Sequence, residues 1–208
     1  MMLYSLLLSD PLSFLLVAVA LVASITIHEC AHALVADKLG DPTARIAGRI
    51  TLNPLAHLDP LGTLAMLFVG FGWGKPVMFD PYNLKDPKRD SMLIAAAGPI
   101  SNLLLALLLS LVLHFLSISL TSNLYALISL VVATNVGLAI FNLIPIHPLD
   151  GGKILIGLAP DSVAREWNSI LSRYGTLILL FLILPINGQS AVSSLLSPVV
   201  NAILKVLL

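Results

Sequence analysis

Two histidines and a glutamate stand within five residues, His28-Glu29-Cys30-Ala31-His32, inside an otherwise apolar stretch. On a helix, positions i and i+4 share a face, so both imidazoles can reach one ion while Glu29 stands beside them. Imidazole and carboxylate donors suit Zn²⁺. Cys30 points elsewhere, about 200° around the helix from His28. A catalytic zinc site needs a third protein ligand and an open position for water. Asp150, within Pro148-Leu149-Asp150-Gly151-Gly152, is the first candidate for that ligand and His147 the second. The reaction expected of such a site is hydrolysis, because zinc brings the pKa of bound water toward about 7 and polarises a carbonyl. Glu29 is the expected base, taking the water's proton and passing it to the leaving amine. Asn142, at the end of an apolar run, either donates to the developing oxyanion or hydrogen-bonds between helices. The bland alternative is a histidine pair satisfied within a helix bundle. It would place three polar groups in five residues of an apolar helix, at a cost of several kcal/mol.

The elements that must position these groups are set by composition. Of 208 residues, 58% are hydrophobic and 11% charged, against about 25% charged in soluble proteins. Eleven basic and eleven acidic side chains balance, so there is no basic field for nucleic acid. One cysteine excludes a disulfide framework and a Cys-based zinc site. Apolar runs near 12–27, 92–118, 124–141, 174–186 and 191–208 approach the roughly 20 residues that cross a bilayer. Pro11 suits the start of a first helix that continues to about Ala36. The apolar start, Met1 to Leu8, has no preceding Lys or Arg and no small-residue cleavage site, so no cleaved signal peptide is expected. The expected fold is an all-α polytopic membrane protein with about five spanning helices. A re-entrant or half-depth element over 61–73, rich in glycine, joins them, with short membrane-associated β-strands at 45–52 and 76–79. The chain reads as one domain, 1–208, with a core at about 12–152 and C-terminal helices at about 165–208.

Lys and Arg are absent from 1–11, 119–123 and 185–190 but populate the other loops. Under the positive-inside rule the N-terminus is then outside the cell membrane, and the first span ends in the cytoplasm. His28 and His32 fall near the cytoplasmic end of that span, and Asp150 follows the cytoplasmic end of the 124–141 span. The charge pattern therefore brings the three groups to a common depth.

At this point the chain resembles the site-2 protease family of intramembrane zinc metalloproteases. The resemblance rests on His28-Glu29-x-x-His32 and on Asn142-x-x-Pro145-x-x-Pro148-Leu149-Asp150-Gly151. It is carried further by the stretch around Gly48, Asn53-Pro54, His57 and Asp59-Pro60, by Gly72-Trp73-Gly74, and by Ala97-Gly98-Pro99-x-x-Asn102. It covers about residues 20–190 and points to the compact subgroup without a PDZ or CBS domain. The resemblance implies zinc ligands at His28, His32 and Asp150, one ion per chain, and Glu29 as catalytic base. It also implies cleavage in or near the transmembrane segment of membrane-protein or signal-peptide-like substrates, received by strand addition at an edge from 43–52 or 75–79. It gives no role to His57, and His114, near the outer end of its span, reads as structural. Two other functions compete. A metal transporter predicts polar residues along several spans on both sides of the midplane, which these spans lack. An inactive scaffold would have no use for so costly a carboxylate as Glu29. Neither the physiological substrate nor the oligomeric state is legible in the sequence.

Overall fold

The computed structural model describes residues 7–69, 72–116, 118–186 and 189–208. Helix α1, Pro11–Lys38, starts at Asp10, whose carboxylate accepts from the Ser13 N–H at 3.1 Å, with a proline in the first turn. A short helix α2, Thr43–Ile46, and a 3₁₀ turn, Pro54–Ala56, lead to α3, Pro60–Val69. A second 3₁₀ turn, Pro81–Asn83, precedes α4, Pro87–Phe115, and α5, Asn123–Asn142. The chain ends with α6, Asp150–Leu158, α7, Asp161–Ile183, and α8, Ala191–Leu207. A two-residue antiparallel pair, β1 Pro185–Ile186 with β2 Gln189–Ser190, joins the last two helices.

Three of these helices, α1, α4 and α5, are long and apolar enough to cross a membrane, and the protein is a multi-pass membrane protein. They pack against one another through small and polar residues. The buried stripe of α4 repeats every four residues: Asp90, Ile94, Gly98, Asn102, Ala106 and Ser110. Ser24, His28 and His32 repeat at the same spacing on α1, and Val132, Asn135, Val136 and Ala139 face inward on α5. Large apolar side chains such as Leu15, Leu104, Leu108 and Leu124 are exposed. Such a distribution fits a lipid solvent, in which small residues bring backbones close and polar residues bond between helices. The α8 residues Val200, Ile203, Leu204 and Leu207 cover a cluster of Ala106, Val132 and Val136.

The expectation of about five spans is corrected: among the described residues three helices are long and apolar enough to cross. Asp161, Arg165, Glu166 and Arg173 all fall within α7, and α8 has only 17 residues. The expected strands at 45–52 and 76–79 are not formed. Arg45 lies in α2, beyond which Gly48 turns the chain with φ of 67°. Residues 76–79 have no regular secondary structure and no partner strand among the described residues; beside them, Leu58 and Gly74 make an isolated bridge and the Lys75 N–H donates to His57 O at 2.8 Å. Within the 61–73 stretch, α3 has ten residues and folds back on 72–74. A Cβ on Gly62 would lie 2.1 Å from Trp73 O, and one on Gly72 2.1 Å from Gly62 O. Gly70 lies outside the described residues, as does the sequence before residue 7.

The connection from α1 to α4 is tied by Asp41, which is fully buried. Its carboxylate accepts from Thr43 Oγ1 at 2.6 Å, Thr43 N at 3.2 Å, Asn83 Nδ2 at 2.8 Å and Asp80 N at 2.8 Å. Burial alone would raise the Asp41 carboxyl, but these hydrogen bonds hold it below the usual carboxylate value. A carboxyl depressed in the folded state contributes stability that is complete at neutral pH and lost as pH falls through the depressed value. Asp41→Ala should cost about 2–4 kcal/mol, because it strands several buried donors. In detergent melts it should lower the transition temperature at pH 7, with the gap from the native protein shrinking under strong acid.

Candidate metal centre

Two helix faces and one helix start converge. On α1, His28 and His32 lie one turn apart and both are buried, at 5% and 7% exposure. Asp150 is the first residue of α6. It is delivered by the turn 143–149, on which Gly151 packs so closely that a Cβ would lie 2.3 Å from Ile144 O. His28 Nε2 and His32 Nε2 are 3.1 Å apart, and Asp150 Oδ2 is 3.1 and 3.3 Å from them. Among the described residues these three form the one group of His, Cys, Asp or Glu able to share a metal ion.

The outer ring nitrogens set the state of the inner ones. His28 Nδ1 lies 2.7 Å from Asn102 Oδ1, and His32 Nδ1 lies 2.7 Å from Ile94 O. Both partners are acceptors, so each Nδ1 carries the hydrogen and each Nε2 presents a lone pair to Asp150. The orientation of Asn102 is itself determined by its neighbours. Its Nδ2 donates to Asn135 Oδ1 at 2.7 Å and to Ser24 O at 3.1 Å. Asn135 Nδ2 in turn donates to Ser24 Oγ, whose hydroxyl donates to Ala20 O. A one-way chain of donors thus starts at His28 Nδ1, crosses α4 and α5 and ends on Ala20 O of α1. Asn102, Asn135 and Ser24 are all fully buried.

Three acceptor atoms therefore face one another with no donor between them, and Asp150 Oδ2 is buried without a hydrogen-bond partner. A cation resolves that arrangement. Tetrahedral zinc with bonds of about 2.0–2.2 Å separates its ligands by roughly 3.3 Å, close to the separations here. Gly98 completes the cradle, since a Cβ there would sit 2.5 Å from His32 Nε2 and 2.6 Å from His28 Nε2.

Glu29 lies beside the pair, and its Oε2 accepts from the Val77 N–H at 3.0 Å. The buried Arg49 guanidinium is 3.9 Å from the same oxygen and donates to Ala56 O at 2.6 Å and to Lys75 O. All four site residues line a cavity of about 880 Å³ whose walls are mainly apolar and come from α1, α5, α7 and the 72–79 segment.

The remaining candidates from the sequence fall as follows. Asn142 lines the cavity, and its Nδ2 donates one hydrogen to Leu138 O of its own helix, leaving a second for another acceptor. His147 stands outside the ligand group and bonds the Asn168 side chain. His57 is fully buried, with Nε2 on Thr51 O at 2.8 Å, and so braces the 51–57 turn. His114 Nδ1 bonds Ser110 O within its own helix. Sequence reasoning missed the roles of Ser24, Asn135 and Arg49, and quoted Asn102 only within a motif. The available signal was polarity inside an apolar span, with Ser24 one turn before His28.

Comparison with known proteins agrees with this picture. The model for peptidase family M50 matches residues 16–124 and 117–183. The chain is 38% identical over 200 residues to YwhC of Bacillus subtilis (strain 168), provisionally named a zinc metalloprotease, covering 92% of this chain and 89% of that protein. It is 31% identical over 137 residues to zinc metalloprotease MJ0392 of Methanocaldococcus jannaschii, covering 66% of this chain and 32% of that protein. Against Rip2 of Mycobacterium tuberculosis (strain ATCC 25618 / H37Rv), also provisionally named a zinc metalloprotease, identity is 30% over 144 residues, covering 66% and 55%. No solved structure matches the chain.

Asn102→Leu removes the acceptor on His28 Nδ1 and frees the ring to rotate or change tautomer. Loss of such an orienting partner costs about 10–100-fold in metal affinity. Chelator competition on purified protein should show a decrease of that order, and unchanged affinity would disconnect the polar chain from the site.

Proposed function

The chain belongs to peptidase family M50, the site-2 proteases, and is a zinc metalloprotease; from that premise we propose that it is an intramembrane endopeptidase. It would cut a peptide bond in or near the transmembrane segment of a membrane-protein substrate, including signal-peptide-like segments. The whole chain would act as one protease domain, in the cell membrane, with its N-terminus outside. The observation that supports this reading best is the triad of His28, His32 and Asp150 donor atoms, 3.1–3.3 Å apart beside Glu29 in a mainly apolar cavity.

In this reading His28, His32 and Asp150 hold a single zinc ion per chain. When bound, zinc supplies a Lewis acid that makes water more acidic and polarises the scissile carbonyl. Glu29 accepts the proton of the attacking water and returns it to the leaving amine. Val77 N–H fixes the carboxylate of Glu29, and Arg49, near the same oxygen, balances its charge. The second hydrogen of Asn142 Nδ2 is available to the substrate's oxyanion or backbone. The irregular 74–79 segment leaves backbone groups for an unwound substrate to pair with, which matters because a lone peptide in lipid has no other partners. Cavity residues such as Val17, Leu21 and Ile25 accept apolar side chains and keep bulk water away. A transport path would need polar residues along the outer halves of the spans as well; the charged residues lining the cavity are Glu29, Asp150 and Lys153.

Orientation follows from charge. Lys38, Arg45, Arg49, Lys75, Lys85, Lys88 and Arg89 all lie between the end of α1 and the first turn of α4, which supports a cytoplasmic loop and a site near that face. Only the α1, α4 and α5 spans are needed for that placement.

Glu29→Gln should keep bound zinc and lose cleavage of a detergent-solubilised single-span substrate by about 10²–10⁴-fold. Asp150→Ala should lose both metal and activity; a fully active Glu29→Gln enzyme would remove the base. Tyr82 is 96% exposed in the loop before α4. A Tyr82→Cys protein in sealed vesicles should react with an impermeant thiol reagent only from the cytoplasmic side.

A further inference from the structure

The cavity contains a cation that the chemistry above does not use. Lys153 lies three residues after Asp150 on α6 and therefore on a similar face of that helix. Its Nζ sits over the Phe79 ring, 5.0 Å from the centroid, and both residues line the cavity. Phe79 is two residues past Val77, whose N–H holds Glu29. The Lys153–Phe79 contact is thus where α6 and the 74–79 segment meet, next to the site. Among the described residues no carboxylate lies within ion-pair distance of Lys153. Of the two acidic groups among the described lining residues, Asp150 is turned to the His28 and His32 cluster and Glu29 is held by Val77 and Arg49.

We propose that Lys153, backed by Phe79, is a carboxylate-binding subsite that selects substrates carrying an Asp or Glu side chain close to the scissile bond. The inference rests on the peptidase reading and names part of its substrate class. Its physical basis is the ammonium of a half-buried lysine that lies over an aromatic face, a contact worth less than a charge-assisted hydrogen bond to a carboxylate. The rest of the wall is mainly apolar, and outside the His28, His32 and Asp150 cluster Lys153 is the one cationic side chain among the described lining residues, so an acidic side chain entering with a transmembrane segment finds its charge partner there. A peptide laid along 74–79 must pass this pair. By the same Coulombic argument, a Lys or Arg at that substrate position is rejected.

The test uses the full-length zinc-loaded protein and a single-span substrate whose cut has been mapped by mass spectrometry. Asn, Asp and Lys are placed one at a time at each position flanking the cut, and kcat/KM is measured for each. At one position the Asp substrate should exceed the Asn substrate by about tenfold or more, and the Lys substrate should be the poorest. Lys153→Gln should bring that Asp/Asn ratio to about one, and Lys153→Glu should invert the order in favour of the Lys substrate. Each ratio is taken within one protein, so a general loss of rate in a variant does not enter. An Asp/Asn ratio near one at all positions in the native protein overturns the subsite without any variant. So does a preference that persists in Lys153→Glu. Failure of the native zinc-loaded protein to cleave any of the substrates would count against the peptidase reading instead.

Discussion

Much of this structure follows from the cost of polar groups where water is scarce. His28 and His32 occupy the buried face of an apolar helix, and each ring has two nitrogens to satisfy. Asn102 and the Ile94 carbonyl take the outer pair, so the inner pair is left as acceptors opposite a carboxylate that is also an acceptor. Burial makes that arrangement costly unless a cation is shared. The hydrogen bonding of the protein thus leaves these three atoms arranged as a metal ion would need them.

The same constraint explains how the spans are assembled. Lipid provides no hydrophobic drive for helices to associate, so contact depends on small residues and on bonds between polar side chains. The stripe Asp90, Ile94, Gly98, Asn102, Ala106 and Ser110 supplies both. Gly98 lets α4 approach close enough to abut the imidazoles, and Asn102 connects α1 to α5 through Asn135. Packing and chemistry use the same residues, so the polar network that registers three helices also orients one ring of the site.

The loop face of the site works differently. Arg49 and Val77 belong to segments with little regular structure, yet Arg49 ties two of them by donating to Ala56 O and Lys75 O. The irregular 74–79 segment is held at one end by His57 O and in its middle by Glu29, and beyond the Leu58–Gly74 bridge no strand among the described residues pairs with it. Under the proposed function, a segment anchored to Glu29 in this way is suited to receive a peptide that has lost its helix.

Sequence alone determined the histidine pair, its neighbouring carboxylate and the apolar spans around them, because helical periodicity and the penalty for charge in lipid act over a few residues. It also singled out Asp150, since proline and glycine mark an irregular helix start and charge placement sets depth. What it could not determine was anything that depends on one helix reading another. The polar chain from Ser24 to His28, the clasp of Arg49 and Val77 on Glu29, and the meeting of Lys153 with Phe79 all join residues about 20 to 110 positions apart in the chain. Similar reasons undid the count of spans and the expected strands. An apolar half-helix such as the end of α7 looks like a span until its charged first turns are joined to it, and an extended segment becomes a strand only when a partner edge arrives. Those outcomes are decided by tertiary contact, which short-range pattern does not encode.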